Sequence, residues 1–254
     1  MKKISIMLLV LVMLGCGQMV FSNYVPGKGD IKGMALKYVD TDSIYITAGY
    51  GECNGHYFTL ASDELYNLSS LGSTEGFHYI YIDDSTSSYP STPVFIDSTV
   101  EPEWSNSLFG WYNGYDRCIG VVWSFGNSSI VKFDTLENGN LVEYILMESN
   151  YKYLISNANP TGNWVFLEAT AYTPVNAKKI KIGTYERDLD NVCNLYVSSY
   201  EGKSIGEVRA GGYAGSDYSN DYVILGASRD LAWNGQDDDD NVTFITVLGF
   251  IYSR

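Results

Sequence analysis

Two glutamates, Glu101 and Glu103, flank Pro102 beside Trp104, a grouping found in the clefts of glycoside hydrolases. Cleavage of a glycosidic bond needs two carboxyl groups that face each other across that bond. Residues two apart on one short segment rarely achieve this, although one of them could pair with a distant Asp. A loop before a strand is the simpler interpretation, and a carbohydrate-active hydrolase with such a carboxylate pair stays an alternative.

Cys53 and His56 could supply two ligands to a metal ion. A zinc site needs three or four protein ligands, and the other histidine of the chain, His78, falls within a predicted strand. A β-turn over Cys53-Asn54-Gly55-His56 is therefore favoured.

Carboxylates for a hard cation are offered by the run Asp237-Asp238-Asp239-Asp240. Calcium takes oxygen ligands of this kind. The run lacks the alternating spacing and closing Glu of an EF-hand loop, and like-charge runs are usually solvated. We expect an exposed turn, with calcium as the one cofactor that the sequence suggests.

The motifs of several enzyme classes are missing from the sequence. It contains no nucleophile elbow of the G-x-S-x-G type, no phosphate-binding loop and no dinucleotide-binding fingerprint. A Ser-His-Asp triad would need His56 or His78, and no serine is singled out as its nucleophile. We therefore expect a protein that is not an enzyme.

Aromatic residues are abundant, with 22 Tyr and five Trp. Rings on exposed strands and loops stack on sugars or form protein interfaces. The predicted ligand-contacting residues, which lie in or near turn-rich segments, are Trp104, Trp111, Tyr112, Tyr115 and Trp233. Rings that cover sheet edges or a subunit interface are an equally good interpretation.

The first 22 residues have the layout of an export signal. Lys2 and Lys3 precede an apolar run over 4–14 that is too short to span a bilayer. Lipidation of Cys16, in a sequence that resembles a lipobox, and cleavage after Ser22 both remain open. Either route predicts an exported protein, secreted or anchored by lipid at the cell surface, with residues 23–33 as a linker.

The net charge of the chain limits the classes of partner that it can bind. The formal net charge of −14 disfavours binding to nucleic acid or to anionic lipid, so a lipid on Cys16 is the one expected membrane contact.

Three cysteines lie outside the predicted signal, namely Cys53, Cys118 and Cys193. A disulfide between Cys53 and Cys118 is preferred, and three buried thiols are an open alternative.

Short runs of β-branched and aromatic residues between Gly, Asn, Asp and Ser predict an all-β fold. The strands expected are 34–39, 43–48, 55–60, 77–83, 92–97, 109–112, 118–124, 129–134, 141–147, 164–172, 178–184, 192–199, 204–209, 221–227 and 242–252. They predict an antiparallel β-sandwich or jelly-roll-like architecture in two β domains, 34–155 and 164–254. Leucines at helical spacing predict a short helix within 63–71.

The stretch GWYNGYDRCIGVVWS at 110–124 predicts a hairpin with Asn113-Gly114 in its turn. We expect Asp116 and Arg117 to fix the hairpin through a polar contact next to Cys118.

Together with ALKYVDTDSIYITAGYGECNG at 35–55, FHYIYIDD at 77–84 and the terminal ITVLGFIYSR, the hairpin resembles phage and prophage tail-fibre-like or tail-appendage proteins. The resemblance implies a β-rich, homo-oligomeric module, such as a trimer, for adhesion or display, and it carries no catalytic residues over. Virion tail proteins assemble in the cytoplasm, whereas this chain begins with an export signal, so we expect a module recruited to a bacterial surface or secreted protein.

The function expected is therefore an exported structural or adhesion module that contacts a cell surface, a glycan or a partner subunit. A structural subunit of an extracellular assembly is a further alternative.

Overall fold

The computed structural model describes residues 27–85, 92–126, 128–136, 139–145, 152–158, 165–192, 194–199, 208–210, 213–225, 229–236 and 242–254. Every regular element named within these ranges is a β-strand, so the all-β prediction is confirmed. None of the described residues form a helix long and apolar enough to cross a membrane. Cys16, Cys193 and the predicted calcium run at 237–240 lie outside the described residues.

The strands are β1 Ile31–Gly33, β2 Leu36–Asp40, β3 Ser43–Ile46, β4 Gly49–Cys53, β5 His56–Leu60, β6 Glu64–Asn67, β7 Glu75–Ile82, β8 Phe95–Ser98, β9 Glu103–Ser105, β10 Gly110–Asn113, β11 Asp116–Phe125, β12 Phe133–Leu136, β13 Leu141–Tyr144, β14 Lys152–Ala158, β15 Val165–Glu168, β16 Ala177–Val192, β17 Asn194–Ser199, β18 Val208–Ala210, β19 Tyr213–Ile224, β20 Asp230–Gln236 and β21 Val242–Tyr252. Within the described ranges they form antiparallel sheets with the orders β1-β4-β5, β2-β3-β6, β8-β7-β11-β10-β9, β12-β13-β21-β16-β19 and β15-β20-β17-β18, and β14 also pairs with β21.

Strands β7 and β11 form the centre of the five-stranded sheet. Residues 78–82 of β7 and 117–124 of β11 are buried without interruption. Strands that are apolar on both faces are typical of a sheet that is covered on both sides. The sequence FHYIYID, in which both alternating sets include apolar residues, indicated this arrangement, and the burial confirms it.

An aromatic cluster joins this sheet to the six-stranded sheet, which consists of β12, β13, β14, β16, β19 and β21. The ring of Trp123 in β11 lies 5.1 Å from that of Tyr144 in β13, centroid to centroid, and 6.2 Å from that of Phe77 in β7. Phe250 in β21 packs edge-on against both Phe77 and Tyr144. The two sheets therefore bury their aromatic faces against each other, as the layers of a β-sandwich do.

Strand β21 contacts strands of both predicted domains. It pairs with β13, which lies within 34–155, and with β16, which lies within 164–254. The division into two domains stays a prediction, and its proposed boundary falls mostly on residues outside the described ranges.

The helix predicted within 63–71 is wrong, because residues Glu64–Asn67 form strand β6. This strand pairs with β3, where Leu65 lies opposite Tyr45. Tyr66 donates a hydrogen bond from its hydroxyl to Oδ1 of Asp97, 2.7 Å away. A helix of two turns is marginal by itself, so pairing with a neighbouring strand outweighs the local leucine spacing.

Candidate functional site

Two tryptophans lie side by side at the edge of the five-stranded sheet. Trp104 in the edge strand β9 is the cross-strand partner of Trp111 in β10. Their rings meet edge to face, with centroids 5.7 Å apart and planes at 68°. Trp104 is 45% exposed, whereas Trp111 is 9% exposed. Trp111 therefore supports one side of an indole ring that is open to solvent.

The orientation of Trp104 is fixed by a hydrogen bond as well. Its Nε1–H donates to Oδ1 of Asn106 at 2.9 Å, and the two Ser hydroxyls of the same turn, on Ser105 and Ser107, lie 3.1 Å apart. A side chain that is already fixed by a ring contact and a hydrogen bond loses little conformational freedom when a ligand binds to it. The exposed indole is thus a preorganised surface.

Two further exposed rings lie at the two ends of β10. Phe109, directly before the strand, is 57% exposed and has a positive φ of 54°. Tyr115, in the turn after the strand, is 67% exposed. We call Trp104, Phe109 and Tyr115 the aromatic edge. Phe109 was not among the predicted ligand-contacting residues, although an apolar residue directly before Gly110 in a turn was the available signal.

Tyr112 and Trp233, like Trp111, are predicted ligand-contacting residues that are buried. Tyr112 packs under the Arg117 guanidinium, whose carbon lies 5.0 Å from the ring centroid, and burial raises the pKa of Tyr112 to about 12. Trp233 in β20 lies between Val165 and Val197 of the neighbouring strands. The rings of Tyr112 and Trp233 fill the core, and their contact with a ligand stays a prediction.

The charged residues of the hairpin make polar contacts with other segments. Arg117 is completely buried, and its Nη2 donates to the carbonyl of Gly29 at 3.0 Å. The N–H of Gly29 in turn donates to Oε2 of buried Glu52 at 2.7 Å. Asp116 accepts from the N–H of Asp84 at 2.9 Å. Arg117 therefore ties the hairpin to the segment before β1 rather than to its own turn.

The disulfide predicted between Cys53 and Cys118 is wrong: both are buried free thiols. The Sγ of Cys53 donates to the carbonyl of Tyr115 at 3.4 Å, and the Sγ of Cys118 donates to that of Gly120 at 3.5 Å. Burial raises the pKa of each thiol to about 12. The two side chains are satisfied by different carbonyls and stay protonated, as the alternative of buried thiols expects.

The turn at Asn54-Gly55 is confirmed, with φ of 49° and 86°. Nδ1 of His56 lies 3.5 Å from Oδ1 of Asp84, and Asn54 donates to the other oxygen of that carboxylate at 3.1 Å. No group of three or more His, Cys, Asp or Glu side chains among the described residues could hold a metal ion.

The glutamates that suggested a hydrolase do not converge on a partner carboxylate in the contacts described. Oε1 of Glu101 lies 3.7 Å from Nη1 of Arg229 and accepts a hydrogen bond from Tyr79 at 3.4 Å. Glu103 is exposed in β9, opposite Tyr112. The loop predicted here is therefore wrong at Glu103, because pairing with β10 makes this residue part of a strand.

A buried chain of polar groups runs through His78, which the sequence analysis placed in a strand without a role. Its Nε2 lies 3.2 Å from Oγ of Ser124, and its Nδ1 lies 2.8 Å from Oγ of Ser70. Ser70 also donates to the carboxylate of Asp97. Ser124 is 0% exposed and His78 is 1% exposed. A substrate has no access to that hydroxyl, so the chain joins β7, β8 and β11 and does not form a nucleophilic site.

No protein-family model matches the chain, and no curated protein matches it. The arrangement of the aromatic edge is therefore the feature on which a functional assignment depends.

Proposed function

We propose that the protein is an exported, non-enzymatic binding module of the tail-fibre-like type, which contacts a surface glycan through the aromatic edge. The observation that carries the proposal is the indole of Trp104, 45% exposed and yet held by the ring of Trp111 and by Asn106. Two contacts that fix an exposed indole are typical of a ring that binds a ligand. Fixing the ring in advance lowers the entropy lost on binding.

A glycan fits the composition of this surface better than an apolar protein face does. Three consecutive short polar residues, Ser105, Asn106 and Ser107, lie between Trp104 and Phe109 in the sequence. Sugars present apolar faces with hydroxyl groups around them, so rings bordered by hydrogen-bonding groups complement them. Self-association into a homo-oligomer such as a trimer, as the tail-fibre resemblance implies, would multiply weak single contacts by avidity.

The proposal is tested by the binding of the full chain to a glycan array. We expect Trp104→Ala to weaken binding at least about tenfold, which corresponds to about 1.4 kcal/mol. The matched control is Tyr45→Ala, which removes an aromatic ring of similar exposure, 41%, from the sheet β2-β3-β6. Absence of glycan binding, or equal loss in both variants, would contradict the proposal. Mass measurement in solution tests the oligomer.

A further inference from the structure

A cavity of about 500 Å³ lies next to Trp111, the residue that packs against Trp104. Its described lining consists of Ile31, Lys32, Gly33, Asn140, Ser253 and Arg254. These residues come from β1, from the segment before β13 and from the segment after β21. Three distant parts of the chain therefore build one concave surface.

The walls of the cavity are held in place by hydrogen bonds. Nη1 of Arg254 donates to the carbonyls of Gly33 and Met34 at 2.7 and 3.2 Å, and its Nε donates to Oδ1 of Asn140 at 3.1 Å. Gly139 has a φ of 93°, and a β-carbon there would lie 3.0 Å from Nη1 of Arg254. The guanidinium is consequently fixed in one orientation at the wall.

One residue of the cavity wall contacts the buried member of the tryptophan pair. Ser253, which lines the cavity, accepts a hydrogen bond from Nε1 of Trp111 at 2.8 Å. The ring of Trp104 packs against the ring of Trp111. Nζ of Lys178 lies 5.8 Å from the centroid of the Trp111 ring. Trp111 therefore links the ring of Trp104 to the wall of the cavity, and the ammonium of Lys178 lies beside the same indole.

The two charged side chains of the described lining are both cations. The formal net charge is −14, yet the described lining includes Lys32 and Arg254 and no Asp or Glu. A concave site lined by charge of one sign concentrates ions of the opposite sign. Guanidinium groups bind carboxylates with charge-assisted hydrogen bonds that are shorter and stronger than neutral ones.

We infer that this cavity binds the carboxylate of an acidic sugar while a neighbouring sugar ring rests on Trp104. The inference depends on the proposed glycan-binding function and specifies its ligand class as glycans that carry a carboxylate. Lys32 attracts and neutralises the carboxylate, Arg254 orients it, and Asn140 and Ser253 contribute polar groups to the same surface.

The test compares oligosaccharides of uronic or sialic acids with the same oligosaccharides after methyl esterification of their carboxyl groups. We expect the esters to bind the full chain at least about tenfold more weakly. Lys32→Gln should reduce binding of the acids several-fold and leave binding of the esters unchanged. Lys37→Gln, at an exposed lysine of β2, is the matched control and should change neither. Lys32 is exposed, so its variant does not depend on refolding of the Arg254 contacts.

Equal binding of acids and esters, or equal effects of Lys32→Gln and Lys37→Gln, would overturn the inference. If neutral glycans still bind and Trp104→Ala still weakens them, the failure concerns the cavity alone. If no glycan binds, the proposed function fails together with it.

Discussion

The guanidinium of Arg117 occupies the space directly above the α-carbon of Gly110: a β-carbon on Gly110 would lie 0.7 Å from Nη1. The two residues lie on adjacent strands of the hairpin, β10 and β11. Gly110 is required here because the guanidinium of Arg117 fills the volume that any side chain at this position would occupy. The φ of Gly110 is not in the left-handed region, so backbone conformation is not the reason. The buried arginine and the glycine therefore depend on each other.

Gly110→Ala should destabilise the fold by about 3 kcal/mol or more, because the methyl group must displace a buried charge. Urea unfolding of the variant and the native chain measures the difference. The control is Gly76→Ala in β7, where a β-carbon meets no atom within 4 Å, and we expect a change within about 0.5 kcal/mol. Similar midpoints for the two variants would contradict the packing described.

Arg117→Ala should lower stability by about 3 kcal/mol or more, since the change removes the hydrogen bond to the carbonyl of Gly29 and opens a cavity beside Tyr112. The folded fraction should bind glycan as the native chain does. Melting followed by circular dichroism, together with array binding below the melting temperature, measures both effects. Lost binding with unchanged melting would place Arg117 in the binding surface.

Acid should weaken the fold through His78. Burial lowers the pKa of this imidazole from its ordinary value of 6.5, while Asp97 acts in the opposite direction. The unfolded chain therefore takes up a proton at a higher pH than the folded one, so stability is complete above about pH 6.5 and falls as the pH is lowered towards the folded-state pKa. His78→Gln should flatten the dependence of the free energy of unfolding on pH between 7.5 and 5.5. An unchanged slope would show that His78 does not carry this effect.

The thiols of Cys53 and Cys118 should resist alkylation in the folded protein. Both are buried, and a pKa of about 12 leaves almost no thiolate at neutral pH. Iodoacetamide labelling with peptide mass spectrometry should modify them in urea and leave them intact in buffer, and a reductant should not change the melting temperature. A peptide pair linked through Cys53 and Cys118 would contradict the structure.

Strand periodicity was the most reliable prediction from the sequence. The runs over 43–48, 55–60, 77–83 and 118–124 correspond to β3, β5, β7 and β11. The turns at Asn54-Gly55 and Asn113-Gly114 also form, with Gly114 at a φ of 62°. These features follow from residue types within a few positions of one another, which is the range over which side-chain alternation and backbone preference act.

Strands such as β1, β6 and β9 were not predicted, because short segments of this kind have little periodicity of their own. β6 exists through its pairing with β3, and β9 through its pairing with β10. Cross-strand partners, unlike propensities, are set by residues far away in the chain. The same reason explains why the polar partners of His78, two serines and an aspartate from other segments, were not predicted.

By itself, the sequence determined that this chain forms β-strands and where its sharp turns lie. The tertiary structure alone decided which aromatic rings remain exposed, since Trp104 and Trp111 differ by their place at a sheet edge and not by any local signal. It also brought Lys32, Asn140 and Arg254 around one cavity. Local alternation assigns side chains to the two faces of a strand, but the long-range packing of sheets determines which face is covered and by what.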